Sequence, residues 1–173
     1  MRVYFYFRRM KNKNLLRSII LIAIVVANIG CDQITKKVIR NKMELYSSIA
    51  VVENHITLIR VENTGAFLSM GNRWPNILRL VLLNGLPIFA IGFGLYYILK
   101  NNTLNKYVAL GICCMMGGGI GNLIDRLLFG AVTDFMYLYW GNLHTGVFNA
   151  ADVSITGGAL LVLLASVFTA KKK

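Results

Sequence analysis

Four long apolar runs, separated by polar stretches, set the pattern of this chain. They lie at about 15–34, 76–99, 107–128 and 153–170. Each is close to the ~20 helical residues needed to cross bilayer hydrocarbon. Asn84 and Pro87 interrupt the second run, an interruption that membrane helices tolerate. The third carries Gly117, Gly118, Gly119 and Gly121, and Gly117 with Gly121 has the small-xxx-small spacing of closely packed helices. Between the first two runs, over about 44–71, the period changes. Ile49 to Arg60 is rich in β-branched residues and partly alternates, which predicts short strands with a turn at Glu53-Asn54. Val61 to Gly71 reads as a loop or an irregular strand, with Asn63-Thr64-Gly65 as a turn. A connection this long usually has a task, such as covering a site. The expected fold class is an all-α membrane protein of four transmembrane helices with a small outer β-rich segment.

Composition supports the membrane reading. The chain is 56% hydrophobic and 15% charged, with mean hydropathy +0.58, whereas soluble domains are about a quarter charged. The net charge of +12 raises the question of nucleic acid. Its placement argues against that partner, because Lys and Arg crowd the two ends and form no clustered reading face. Anionic membrane lipids suit such ends better. With four spans, both termini share a side. The segments on that side hold 11 basic and no acidic residues, and the opposite side holds 8 basic and all seven acidic ones. The positive-inside rule therefore places the termini in the cytoplasm and every carboxylate toward the outer face.

Cys31, Cys113 and Cys114 form no metal-ligand spacing with His55 and His144, and no disulfide framework. No metal and no cofactor is expected. A basic leader, an apolar run and Ile29-Gly30-Cys31 have the layout of a signal peptide cut before a lipid-modified cysteine. Asn28 suits that cleavage poorly, and the remainder would be a multi-span protein. A retained first helix is the favoured reading.

The chemistry concentrates between Gly117 and Asp152. Asn122, Asp125 and Arg126 are spaced i, i+3, i+4 and share a helix face, as a self-satisfied polar knot would. Asp134 and Asp152 have apolar neighbours and no basic residue within several positions. Asp152 stands at the start of the fourth run, where it can be an N-cap. The two carboxylates can be separately structural, or can meet at the membrane surface. If they meet, they cannot both ionise readily and share one proton. The ionised member can then activate a water for attack on a peptide carbonyl while the protonated member donates to the carbonyl oxygen. A cation or proton path is a different reading of the same residues. It is disfavoured because all the carboxylates fall on one side.

At these residues the chain resembles the lipoprotein signal peptidases, or signal peptidase II. Asp32-Gln33-Ile34-Thr35-Lys36 resembles the family's D-Q-x-[ST]-K, and Asn63-Thr64-Gly65-Ala66-Phe67-Leu68-Ser69 resembles N-x-G-x-[AF]-x-S. Gly118 to Arg126 resembles G-G-x-x-G-N-x-x-D-R, Gly130 to Phe135 resembles G-x-V-x-D-[FY], and Phe148 to Ile155 resembles F-N-x-A-D-x-x-I. The five stand in family order over about residues 15–170. The resemblance implies one membrane peptidase domain over residues 1–173, with a β-cradle and a loop over the active site. It implies catalytic Asp134 and Asp152, supported by Asp32, Asn63, Gly65, Asn122, Asp125, Arg126 and Asn149. It also implies an aspartic endopeptidase of the bacterial inner membrane that cuts prolipoproteins before the diacylglyceryl-cysteine and is blocked by globomycin. Gly146-Val147 replaces a proline common in relatives, and Val153 replaces a frequent serine.

Overall fold

The computed structural model describes residues 2–65, 71 and 74–170. Four of its helices are long and apolar enough to cross a membrane, at Leu15–Lys42, Asn76–Lys100, Lys106–Phe129 and Ala150–Thr169. In element order they belong to α1 (Arg2–Lys42), then α2 (Asn76–Arg79) joined through a π-helical turn (Leu80–Gly85) to α3 (Leu86–Lys100), then α4 (Lys106–Phe129) and α5 (Ala150–Ala170). Their lipid-compatible faces are exposed large apolar side chains such as Ile19, Ile22, Phe89, Phe93, Leu163 and Phe168. Helices are the expected solution here, because hydrocarbon offers no partner for a free backbone N–H or C=O.

α4 is the central helix, and its glycines explain why. A Cβ on Gly111 would lie 2.6 Å from the Gly158 carbonyl oxygen of α5, and one on Gly118 would overlap the Ala151 carbonyl. Gly117 and Gly121 turn the other way, against Asn28 and the Asp32 carboxylate of α1. Small residues on two sides of one helix thus bring three backbones close.

The β-rich segment is a four-stranded antiparallel sheet in the order β1 (Ser48–Val52), β2 (Ile56–Asn63), β3 (Val132–Trp140), β4 (Leu143–His144). The β1–β2 turn falls where expected, with Asn54 at φ +60°. The sheet docks on the end of α1 through Ile39, Met43 and Phe135, with Leu58 and Met136 packed against them.

The structure departs from the expected boundaries in four places. α1 continues to Lys42 rather than stopping near 34. Lys36 and Arg40 of that extension turn inward to protein partners while Lys37, Asn41 and Lys42 are exposed, and Thr35 Oγ1 closes on the Cys31 carbonyl at 2.8 Å. β2 runs regularly to Asn63, because β3 pairs with it through Val61–Asp134 and Asn63–Val132. β3 itself stands where only a returning loop was expected. α5 begins at Ala150, not Val153, so Asp152 is not the N-cap. The π-helical turn precedes Pro87, which has no N–H to offer Leu83. The Leu86 amide instead reaches back five residues to Val81. The expected loop over the site falls largely on residues 66–70, 72 and 73, which lie outside the described residues.

Candidate active site

Two turns and one strand deliver the polar groups to a common place. α4 ends at Gly130, whose φ of +75° is the left-handed C-terminal conformation that glycine favours, and its N–H returns to the Arg126 carbonyl. The chain therefore enters β3 directly, and β3 carries Asp134 alongside the end of α4. At the other end Asn149 caps α5. Its Oδ1 accepts from the Asp152 amide at 3.0 Å, and Asp152 Oδ2 accepts from the Asn149 amide at 3.1 Å. This reciprocal capping box makes Asp152 the third residue of the helix, near its positive end.

Asn149 also joins the two carboxylates. Its Nδ2 donates to Asp134 Oδ1 at 2.6 Å and to Asn122 Oδ1 at 3.1 Å, while Asn122 Nδ2 donates to Asp152 Oδ1 at 2.9 Å. Asn63 Nδ2 donates to Asp134 Oδ2 at 2.9 Å, and the Gly65 amide donates to Asn63 Oδ1. Asp134 and Asp152 thus sit in one hydrogen-bonded cluster with three amide side chains. Among the described residues, neither forms an ion pair.

The environments of the two differ. Asp134 is 4% exposed. Burial pushes its carboxyl up to about 6, and the negative charge of Asp152 adds to this, while hydrogen bonds from Asn63 and Asn149 and the Lys36 charge oppose it. Asp152 is half-buried and lines a cleft of about 580 Å³ with Asn122, Arg126, Leu82, Leu83 and Pro87. Pro87, Gly119 and Ile155 are shared with an apolar cavity of about 480 Å³, also lined by Ile91, Phe93 and Met116.

The remaining expected residues form a second cluster. Asp32 and Asp125 are fully buried and share the ammonium of Lys36, at 2.9 and 3.2 Å. Arg40 adds a 3.3 Å contact to Asp125. Asp32 Oδ1 also accepts the Ala151 amide in the first turn of α5, and Asp125 Oδ2 accepts the Thr133 amide of β3. These two carboxylates tie α1, α4, α5 and β3 together. Arg126 does not pair with Asp125; its Nη2 donates to the Gly65 carbonyl at 3.0 Å and holds the end of β2. Sequence reasoning quoted Lys36 within the D-Q-x-[ST]-K resemblance but assigned no role to it or to Arg40. The available signal was the spacing Asp32, Lys36, Arg40, one stripe of a helix that continues past the apolar run.

The signal peptidase II family model matches residues 21–168. The chain belongs to the signal peptidase II family. It is 36% identical to the lipoprotein signal peptidase of Maridesulfovibrio salexigens over 158 residues, covering 88% of this chain and 96% of that relative. It is 32% identical to that of Listeria monocytogenes over 143 residues, covering 82% and 88%. A solved bacterial membrane enzyme, determined by the in meso method at 2.3 Å resolution, superposes with a TM-score of 0.79 at 26% identity over 88% of this chain and 90% of that one. A second, at 1.9 Å, gives 0.72 at 26% identity over 84% and 90%. The chain is thus a multi-pass membrane protein of a protease family that removes signal peptides from prolipoproteins.

Proposed function

We propose that this signal peptidase II works as an aspartic endopeptidase with Asp134 and Asp152 as its catalytic pair. The observation that carries this reading is that one residue, Asn149, joins both carboxylates within a cluster of neutral amides, its side chain donating to Asp134 and its backbone N–H to Asp152. Such a pair acts in its singly protonated form, with one proton between the two carboxyls. Asp134, buried and raised to about 6, is the member that keeps the proton. Asp152, at a helix N-terminus and beside the cleft, is the member that ionises. In the reaction Asp152 takes a proton from water as the water oxygen attacks the peptide carbonyl. Asp134 donates its proton to the carbonyl oxygen, forming a neutral gem-diol. Asp152 then gives its proton to the amide nitrogen while Asp134 takes one back from a gem-diol hydroxyl; the C–N bond breaks and the signal peptide leaves as a carboxylic acid. Asn63, Asn122 and Asn149 hold the carboxylates without neutralising them.

The substrate is a prolipoprotein whose cysteine carries diacylglyceryl, cut on the N-terminal side of that cysteine. The apolar cavity adjoining the cleft supports this, because it offers a dry surface beside the polar groups. Globomycin, an inhibitor of the family, is expected to occupy the same cleft. Both termini are assigned to the cytoplasm and the site to the outer face of the inner membrane, on the charge asymmetry of the chain. The test uses purified protein in lipid vesicles with a diacylglyceryl-modified prolipoprotein and its unlipidated form. Mass spectrometry is expected to show cleavage before the lipidated cysteine only, and none by Asp152→Asn. Cleavage at wild-type rate by Asp152→Asn overturns the catalytic pair.

A further inference from the structure

Lys36 is fully buried in a helix that belongs to a membrane span, and it makes three contacts. Two neutralise Asp32 and Asp125. The third is to Asn122 Oδ1 at 2.9 Å. An ammonium has three donors, so this set uses all of them. A purely structural knot needs only the two ion pairs, and the third contact reaches into the amide cluster of the proposed catalytic pair.

We propose that Lys36 is a positioning residue for the cleavage reaction, fixing the orientation of the Asn122 amide against Asp152 and holding a positive charge beside the carboxylate pair. The proposal rests on the aspartic reading above. Its geometry is restrictive. Asn122 Oδ1 accepts from both Lys36 Nζ and Asn149 Nδ2. Turning the amide over would set its NH₂ against an ammonium and a second NH₂. Only one orientation survives, with Nδ2 donating to Asp152 Oδ1 at 2.9 Å. The Asp152 carboxylate is thereby held from two sides, by Asn122 and by the Asn149 amide.

The charge has its own effect. The groups around the pair are Asp32, Lys36 and Arg40 from α1, Asp125 and Arg126 from α4, and Glu62 from β2. Arg40 serves Asp125 and lies against the Phe129 ring, and Glu62 accepts the Thr133 hydroxyl and pairs with Arg60. Among the described residues, Lys36 hydrogen-bonds directly to a member of the amide cluster, Asn122. It favours the ionised form of the pair, in agreement with its opposing effect on Asp134. A lysine suits this place better than an arginine, whose donors lie in one plane on three nitrogens and cannot meet three acceptors grouped around a single nitrogen.

The test compares Lys36→Met, Lys36→Arg and wild type in vesicles, reading kcat and KM against pH on the diacylglyceryl prolipoprotein. Lys36→Met strands two buried carboxylates, so the double variant Lys36→Met/Asp32→Asn, which changes no net charge, is measured beside it. In both, kcat is expected to fall about 100-fold, the cost of a reacting group misplaced by about 1 Å, with KM little changed. For Lys36→Met both limbs of the pH profile move to higher pH, by about one unit. Lys36→Arg returns the limbs to their wild-type position, while kcat stays depressed. A folded double variant with wild-type kcat, or a folded Lys36→Met with unmoved limbs, overturns the proposal. Asp152→Asn in the same assay separates the two ideas. If it is inactive while the Lys36 variants behave as wild type, only the positioning role falls; if it cleaves normally, the aspartic reading falls and the proposal with it.

Discussion

Two pairs of carboxylates lie at the same end of this helical bundle and are held in opposite ways. Asp32 and Asp125 meet cations: Lys36 touches both, Arg40 touches Asp125, and their remaining hydrogen bonds come from Gln33 and the amides of Ala151 and Thr133. Asp134 and Asp152 meet neutral donors, from the side chains of Asn63, Asn122 and Asn149 and the backbone of Asn149. A buried carboxylate beside a cation has its charge balanced by that partner. One held by amides keeps its full appetite for a proton, in a place where ionising is costly. The difference separates the two pairs more clearly than burial does, since Asp134 at 4% exposure is nearly as dry as Asp125 at 0%.

The comparison can be broken at each pair in turn. The largest expected effect on stability is at the charged pair. Asp125→Ala leaves Arg40 and the Thr133 amide without this acceptor and Lys36 with one carboxylate, and is expected to cost about 3–5 kcal/mol. Thermal unfolding in detergent micelles reads it directly. Next is Asn149→Ala, which removes the side chain that donates to Asp134 and is linked through Asn122 to Asp152, the proposed catalytic pair. Cleavage is expected to fall about 100-fold, as for other misplacements of a reacting group. The lost cap should lower stability by only about 1 kcal/mol, so rate and unfolding temperature separate in this variant and not in Asp125→Ala.

A smaller effect has a sign that distinguishes the pairs. Asp134 is raised from 3.8 to about 6 in the folded protein. Its contribution to stability is therefore fully present below its unfolded value and is lost as pH rises through about 6. Asp134→Asn has no such loss. Relative to the variant, wild type is expected to lose about 1 kcal/mol between pH 5 and pH 8. A pH-independent difference in unfolding temperature between the two would show that Asp134 is not held in this raised state.

Much of this arrangement was legible in the chain, for stated reasons. Apolar runs in lipid have one outcome, so the second and third spans fall within one residue of expectation. The β1–β2 hairpin announced itself by β-branched alternation around Glu53-Asn54. Less legible was whatever depends on a partner distant in sequence. Residues 35–42 are polar and read as the end of a span, yet Lys36 and Arg40 are drawn inward by Asp125, 89 and 85 residues away. β3 exists because β2 offers it an edge 71 residues earlier at Asn63 and Asp134. The three-residue difference between an N-cap and a third helical position at Asp152 was set by Asn149, whose side-chain amide serves the cap and Asp134 together. Lys36 was given no role because an i, i+4 Asp–Lys pair reads as an ordinary surface contact until that face of the helix is seen packed against α4.

The most direct measurement sets the two pairs side by side in one assay. Asp32→Asn, Asp125→Asn, Asp134→Asn and Asp152→Asn are each purified, their folded fractions fixed by thermal unfolding, and kcat/KM measured on a diacylglyceryl prolipoprotein. Removing either member of a catalytic pair costs on the order of 1,000-fold or more, and a positioning carboxylate far less. The account predicts that loss for folded Asp134→Asn and Asp152→Asn, with folded Asp32→Asn and Asp125→Asn retaining most of their activity. Near-wild-type cleavage by either Asp134→Asn or Asp152→Asn would contradict it.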